Sequence, residues 1–482
     1  MDRRIETINI TCPLRAAALA TPDAPAAQGS AATITYGDLD LRVSAAAGSL
    51  AESGCVPGMR VALYLEKDER YVVLLLALLR VGCVACPVST RVSPEGIESL
   101  LRIAACSAVI SDRDLSAVAG ESRIMLLPDT LLREAPAACH PEPATIPLDR
   151  PATIVFTSGS TGRPKAALHT FGNHYYSALG SGANIPLAPG DRWLHSLPLY
   201  HVGGLSIVFR CLISGATMVM PESGTPLGAA IVSGGATHVS LVATQLRRLL
   251  SGDSENATPG TLKAILLGGG PVPDSLVDEA IASGLPIHTS YGLTEMASQV
   301  TTTLPGASLT ALHTSGRVLL HREVSVAGNG EILVRGDTLF AGYVEGDSVD
   351  RRLDAEGWFH TRDLGELDAD GYLRVTGRRD NQFISGGENV QPEEVEAALC
   401  RVEGIEDAVV VPVPDEEFGE RPVAFVRAPG GVPDGLAENL EPMLPRFKIP
   451  VAFYEWPESS GPERMKPDRT ALRELALGRQ GT

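Results

Sequence analysis

Lysine is nearly missing from this sequence. Of its 40 basic residues only five are lysine (Lys67, Lys165, Lys263, Lys448 and Lys466), so the other 35 are arginine. Where the chain merely needs a positive charge it uses a guanidinium. Each surviving lysine therefore marks a candidate site for a compact ammonium point charge. Charge of either sign is also sparse: 20% of the 482 residues are charged against 44% hydrophobic, which excludes a disordered chain. The balance is acidic, with 58 carboxylates and a net charge of −18. A basic nucleic-acid groove and an anionic-membrane surface are accordingly not expected.

Long apolar runs are lacking as well. The longest, 71–79, stops at Arg80 and is far too short to span a bilayer; it reads as a buried helix. Residues 1–15 have no apolar centre of the kind a secretory signal needs. Eight cysteines in so long a chain do not make a disulfide scaffold. Cys83 and Cys86 have the Cys-x-x-Cys spacing of a redox pair or half a zinc site. No second pair follows at metal-site spacing, and the apolar run 81–88 around them favours core thiols. A soluble protein of the reducing cytoplasm is expected, with its self-association left open.

What is present is a repeated alternation of helical and strand-like periods. A helix over 40–53, a strand over 60–64, a helix over 69–81 and a strand over 83–88 come first. Short apolar runs follow at 109–110, 152–156, 217–220, 238–241 and 264–267, the pattern of α/β layers with largely parallel strands. After Thr310 the texture changes to short strands with Gly and Asp turns, at 323–327, 331–334, 357–359 and 372–375. Beyond Asp380 an α+β pattern takes over, its helix opened by Gln391-Pro392-Glu393-Glu394. The expected architecture is α/β: a large N-terminal domain over 1–379, with a β-barrel-like subdomain at about 311–376, and a small mobile α+β domain over 380–482.

Four segments carry chemistry. Thr157, Ser158, Gly159, Ser160, Thr161 and Gly162 lead to Arg163-Pro164-Lys165 directly after a strand. Glycines, hydroxyls and an ammonium in a tight loop make a phosphate cradle. It is not a Walker A loop, because Ala166 stands where Ser or Thr would follow the lysine. The second segment is Ser290-Tyr291-Gly292-Leu293-Thr294-Glu295, preceded by Gly268-Gly269-Gly270. Glu295 is a candidate ligand for a phosphate-bound Mg²⁺, Thr294 a phosphate donor, Tyr291 a flat face for a base, and the glycines allow close approach of a flat ligand. The third places Asp363, a candidate acceptor for ribose hydroxyls, near Arg378, Asp380 and the run Ser385-Gly386-Gly387-Glu388. The last is Arg464-Met465-Lys466-Pro467. Taken singly, Asp363 and Arg378 also fit an ordinary turn acid and a surface ion pair.

In this order the segments resemble the adenylate-forming superfamily of acyl- and aryl-CoA ligases, luciferases and peptide-synthetase adenylation domains, over nearly the whole chain. The resemblance implies ATP, Mg²⁺ and CoA as co-substrates and cofactors, and a small C-terminal domain that rotates. It implies that Thr157–Lys165 is the phosphate loop, Thr294 and Glu295 the phosphate and magnesium residues, Asp363 the ribose-binding acid and Arg378 its basic neighbour. It further implies that Asp380 is the hinge, that Ser385, Gly386 and Gly387 line the CoA path, and that Lys466 stabilises the adenylation transition state. Lys165, Lys448 and Lys466, three of the five lysines, fall on motif positions. Two departures stand out: Thr361-Arg362-Asp363 replaces the usual Thr-Gly-Asp, and Ala166-Ala167 replaces the commoner Gly-Val.

Within the superfamily three stretches look most like the 2-succinylbenzoate–CoA ligases of menaquinone biosynthesis. They are Leu197–Gly204 with Arg210 following, Tyr291–Gln299, and Asp380–Glu394. A substrate of that kind keeps a second carboxylate that an apolar pocket cannot hold unpaired. Arg210 is the candidate partner, a structural ion pair being its alternative; His201 either gates the acyl pocket, touches the reacting carboxylate or serves structure alone. The rival readings are another aryl- or acyl-CoA ligase, an adenylation enzyme that loads a carrier protein, and a non-catalytic nucleotide-binding relative.

Overall fold

The computed structural model describes residues 8–29, 32–115, 123–132, 145–157, 164–251, 259–346, 348–457 and 468–480. Two large sheets dominate the N-terminal part. The eight-stranded sheet runs in the order Ser348–Asp350, Gly342–Glu345, Lys165–Thr170, Pro151–Thr157, Val84–Pro87, Arg60–Tyr64, Ala108–Ser111, Ile124–Leu126. Its last five strands are parallel, while the first three pair antiparallel. The nine-stranded sheet has a parallel centre of Pro25–Gln28, Thr217–Val219, Arg192–Leu194, His238–Leu241, Ala264–Leu267 and Ile287–Leu293. Antiparallel strands close both its ends. The expectation of largely parallel α/β layers holds for the centres and not for the edges.

The two sheets share one core. Leu63, Ala85 and Val155 from the first and Trp193, Met218 and Leu266 from the second belong to a single buried cluster, with helices between them. The central helix is Glu69–Val81. Asp68 caps it by accepting from the Tyr71 N–H at 3.0 Å, and every residue from Tyr71 to Leu79 is buried. That explains the longest apolar run: a helix packed on all sides needs no polar face.

Cys83 and Cys86 are both fully buried and free. They sit three apart along an extended segment and so point to opposite faces, Cys83 into the shared core and Cys86 into the cluster with Ile97 and Leu101. They are core thiols. Among the described residues no helix is long and apolar enough to cross a membrane, and no group of three His, Cys, Asp or Glu side chains could hold a metal ion.

The β-rich segment is a four-stranded antiparallel sheet of Glu323–Val326, Glu331–Arg335, Phe359–Leu367 and Leu373–Arg378. It does not stand apart, since Gly342–Glu345 leaves it to pair with Lys165–Thr170. Strand membership then changes between Arg378 and Phe383, across the short 3₁₀ turn Arg379–Asn381. A five-stranded sheet follows, with the helix Pro392–Leu399 and its own buried cluster around Val395, Val410 and Ala424.

Candidate active site

The motif loops collect at the carboxyl ends of parallel strands, the place where open α/β sheets bind ligands. Pro151–Thr157 delivers the phosphate loop, Ala264–Leu267 delivers Gly268–Gly270, Ile287–Leu293 delivers Thr294 and Glu295, and Arg192–Leu194 delivers the segment that ends at His201. Thr157 and Lys165 face each other across the antiparallel pair that holds the phosphate loop. Ser158, Gly159, Ser160, Thr161 and Gly162 lie outside the described residues, as does Lys466.

Lys165, Ala167 and His169 alternate onto one face of the strand Lys165–Thr170. The Lys165 ammonium lies 5.1 Å from the centre of the Tyr343 ring. Burial, then repulsion from Arg352 and Arg362, lowers its pKa. The Tyr343 hydroxyl donates to a carboxylate oxygen of Glu295, so one aromatic residue ties the candidate phosphate lysine to the candidate magnesium ligand. Four residues beyond Lys165 on the same strand, His169 donates its Nε2 to the Thr294 carbonyl at 2.7 Å. Burial pushes His169 down to about 4, which keeps it neutral at ordinary pH. The 3₁₀ turn Thr294–Met296 is thus held from a rigid strand. Ala166 and Ala167, which replace the commoner Gly-Val, are buried on opposite faces of this strand and leave it regular.

Asp363 is 7% exposed. It accepts the Tyr291 hydroxyl at 2.6 Å and pairs with Arg378 at 2.9 Å, so three residues read separately from the sequence form one cluster. Burial, then the Asp363 charge, raises the Tyr291 pKa well above its ordinary value. The unusual Arg362 has φ +64°, the left-handed region that a glycine takes freely. Its guanidinium reaches Asp380 at 3.2 Å, and Arg378 approaches the same carboxylate at 3.7 Å. The residue that breaks the common motif therefore grips the candidate hinge.

Arg210 lies on the helix Val202–Ser214, which His201 precedes at the N-cap. Arg210 is 3% exposed, with its guanidinium 4.9 Å from the Trp193 ring centre. Its Nη2 donates to Gln299 Oε1 at 2.7 Å and to Ser298 Oγ at 3.3 Å, while Nε and Nη1 meet no hydrogen-bond partner. No carboxylate pairs with it among the described residues, so the structural ion pair is set aside. Burial pushes Arg210 down to about 10. A cation this deep with free donors is the chemistry an anionic ligand group satisfies. His201 stacks edge-on against Tyr200 at 4.8 Å.

A family model described as AMP-binding enzyme matches residues 14–344, and one described as AMP-binding enzyme C-terminal domain matches 394–459. The chain belongs to the AMP-binding enzymes. It is 34% identical over 461 residues to the 2-succinylbenzoate–CoA ligase of Geobacillus kaustophilus, covering 92% of this chain and 93% of that one. The o-succinylbenzoate CoA synthetase of Bacillus subtilis matches in three states. With its acyl-adenylate intermediate OSB-AMP the TM-score is 0.86, at 30% identity over 97% of this chain and 98% of that one. With ATP and magnesium ion it is 0.84, at 31% identity over 93% and 96%. A double mutant with the product analogue OSB-NCoA scores 0.73, at 30% identity over 97% and 99%.

A magnesium ion bound to a nucleotide takes most of its ligands from phosphate oxygens and water. A single protein carboxylate, Glu295, fits that demand where a resident metal cage would not. In the C-terminal sheet, Gly386 (φ +59°) and Gly387 (φ +87°) form the two-residue turn between Phe383–Ser385 and Glu388–Val390. Ser385 is fully buried there, with no partner for its hydroxyl. Sequence reasoning missed Tyr343, His169 and Gln299. The period-2 spacing of Lys165 and His169 on one strand was a usable signal for His169; Gln299 closes the stretch Tyr291–Gln299 that carried the resemblance but was not singled out as a site residue, and nothing local marks Tyr343.

Proposed function

We propose that this AMP-binding enzyme is an ATP-dependent 2-succinylbenzoate–CoA ligase serving menaquinone biosynthesis in the cytoplasm. The observation that carries the substrate is Arg210, a buried cation with two unpartnered donors and no acid beside it. Among acids of this class, 2-succinylbenzoate keeps a second carboxylate after its succinyl end has reacted, and that anion matches the cation.

In the first step a succinyl carboxylate oxygen attacks the α-phosphorus in line, and the bond to pyrophosphate breaks. No protein nucleophile is needed, so the chain's work is positioning and charge stabilisation. Thr157, Lys165 and the loop between them hold the β- and γ-phosphates, with the Gly268–Gly270 loop, Ser290, Tyr291 and Gly292 beside the nucleotide. Thr294 donates to phosphate, Asp363 accepts from ribose hydroxyls with Arg378 at its side, and Lys466 meets the charge that develops on the reacting oxygens. Magnesium bound through Glu295 supplies charge neutralisation between phosphate oxygens. His201 borders the acyl pocket.

The domains are read as 1–379 and 380–482. The small one turns about Asp380 between the two steps, withdrawing Lys466 and bringing Ser385, Gly386 and Gly387 to the pantetheine path. The CoA thiolate then attacks the acyl carbon and AMP leaves. The test is ATP-dependent CoA-thioester formation with 2-succinylbenzoate, benzoate and a medium-chain fatty acid. Turnover of 2-succinylbenzoate at least tenfold above the others is expected; a preference for either monocarboxylate overturns the substrate.

A further inference from the structure

A second guanidinium lies against the same glutamine that Arg210 touches. Arg322 is 6% exposed, and its Nε donates to the main-chain carbonyl of Gln299, not to the side-chain oxygen that Arg210 holds, at 2.7 Å. Nη1 donates to the Leu320 carbonyl at 2.7 Å, and Nη2 to the carbonyl and hydroxyl of Ser177 at 3.2 Å each. Like Arg210, it meets no carboxylate among the described residues. Burial, with repulsion from Arg210 added, pushes Arg322 down to about 9.

Two uncompensated cations buried around one residue are expensive to fold, and among the described residues no acid is placed beside either. The two differ in freedom. Arg322 is fixed on three nitrogens by carbonyl and hydroxyl oxygens, whereas Arg210 keeps two donors open. Gln299 is the link. Its Nε2 donates to Thr302 Oγ1 at 2.7 Å, which turns Oε1 toward Arg210. The helix Phe171–Asn184 makes room for Arg322 with Gly180, where a Cβ would stand 2.1 Å from Nη1.

We infer that Arg322 is a specificity-determining positioning residue: through Gln299 it orients Arg210 and adds a fixed second positive charge that selects acyl substrates carrying an additional carboxylate. The inference rests on the proposed substrate. An anion reaching Arg210 neutralises a field that both guanidiniums create, and a neutral ring leaves that field unanswered. Arg322 acts through Gln299 and the field, not by touching the substrate.

The test compares KM for 2-succinylbenzoate with KM for 4-oxo-4-phenylbutanoate, the same skeleton without the ring carboxylate. For Arg322→Gln, the dicarboxylate KM is expected to rise about tenfold while the monocarboxylate KM stays level or falls, with ATP KM within about twofold. Arg322→Lys, which keeps the charge, is expected to retain most of the preference. Gly180→Ala brings a Cβ within 2.1 Å of Nη1 and 2.6 Å of the Leu320 main-chain carbonyl, so it displaces the guanidinium together with the carbonyl that holds it, and a raised dicarboxylate KM with an unchanged ATP KM is expected there. It decides the matter if Arg322→Gln does not fold, as judged by thermal unfolding. A dicarboxylate-to-monocarboxylate KM ratio unchanged in the folded variants overturns the inference and leaves Arg322 an architectural clamp. Failure of the wild-type protein to turn over 2-succinylbenzoate overturns the substrate reading instead.

Discussion

Around the nucleotide motifs the charged groups already hold partners: Asp363 has Tyr291 and Arg378, Glu295 has Tyr343, and Asp380 has Arg362 and Arg378. At the acyl end Arg210 and Arg322 are buried with no acid at all among the described residues. The first region is preorganised, and a ligand entering it shares or exchanges bonds that the protein makes by itself. The second is left electrostatically incomplete, and on the proposed substrate reading a bound anion supplies what the chain withholds. On that reading, recognition of a constant ligand and selection of a particular acid are built on opposite uses of charge.

The comparison breaks first at Lys466. Lys466→Ala is expected to slow adenylate formation by about 10²–10³-fold, measured as pyrophosphate release. Thioester formation from presynthesised acyl-adenylate is expected to continue at near the wild-type rate. Equal loss of both half-reactions removes the domain-alternation account. A second break uses pH. His169 is neutral in the fold with a pKa of about 4, against about 6.5 in an unfolded chain. As pH falls below about 6.5 the unfolded chain takes up the proton first, so stability drops until pH nears the folded value. The loss is on the order of 3 kcal/mol. Urea unfolding between pH 7.5 and 4 is expected to show a shallower loss for His169→Gln; identical slopes would mean that His169 does not carry it.

These cases show what a sequence states and what it withholds. The helix over 69–81 and the strands at 60–64 and 264–267 were legible because apolar period and turn residues agree locally. The nucleotide motifs were legible because glycine, hydroxyl and carboxylate spacing is set within a few residues of one chain. Arg210 was legible as a candidate only through resemblance and the demand of its substrate. Its lack of an acid, the decisive fact, depends on neighbours from Trp193, Ser298 and Gln299. Tyr343 reaches Glu295 across 48 positions and Arg322 reaches Ser177 across 145, pairings no local pattern encodes. The rarity of lysine worked differently. Lys263 and Lys448 pair with the carboxylates of Asp191 and Glu394 at 2.6 Å each, whereas Lys165 lies over the Tyr343 ring with no carboxylate paired to it among the described residues.

The acyl side is sharpened by Arg210→Met. It is expected to raise KM for 2-succinylbenzoate about tenfold or more while ATP KM stays within about twofold, because Arg210, on the helix Val202–Ser214, hydrogen-bonds to Ser298 and Gln299 and to none of the nucleotide-motif residues. Removing an uncompensated buried cation for an apolar side chain of similar length also favours folding. The variant is therefore expected to have a higher Tm than the wild type as its substrate affinity falls. A lower Tm together with a loss of ATP affinity would show that Arg210 holds the fold rather than the acid.

The smallest effect belongs to Arg362→Gly, at the pair that joins the two regions' common hinge. The Arg362–Asp380 pair is 3.2 Å long, with side chains 50% and 26% exposed, so it contributes no more than about 1 kcal/mol. Glycine also relieves the φ of +64°, which works in the opposite direction by a similar amount. Stability is accordingly expected to stay within about 1 kcal/mol of wild type. The kinetic consequence is separate, since the pair spans Asp380 and breaking it frees the turn Arg379–Asn381. The two half-reaction rates are expected to change by less than about fivefold, and the difference from wild type to shrink as salt rises toward 1 M, where exposed pairs are screened. An effect that persists at high salt would assign the change to the backbone at position 362 instead of to its charge.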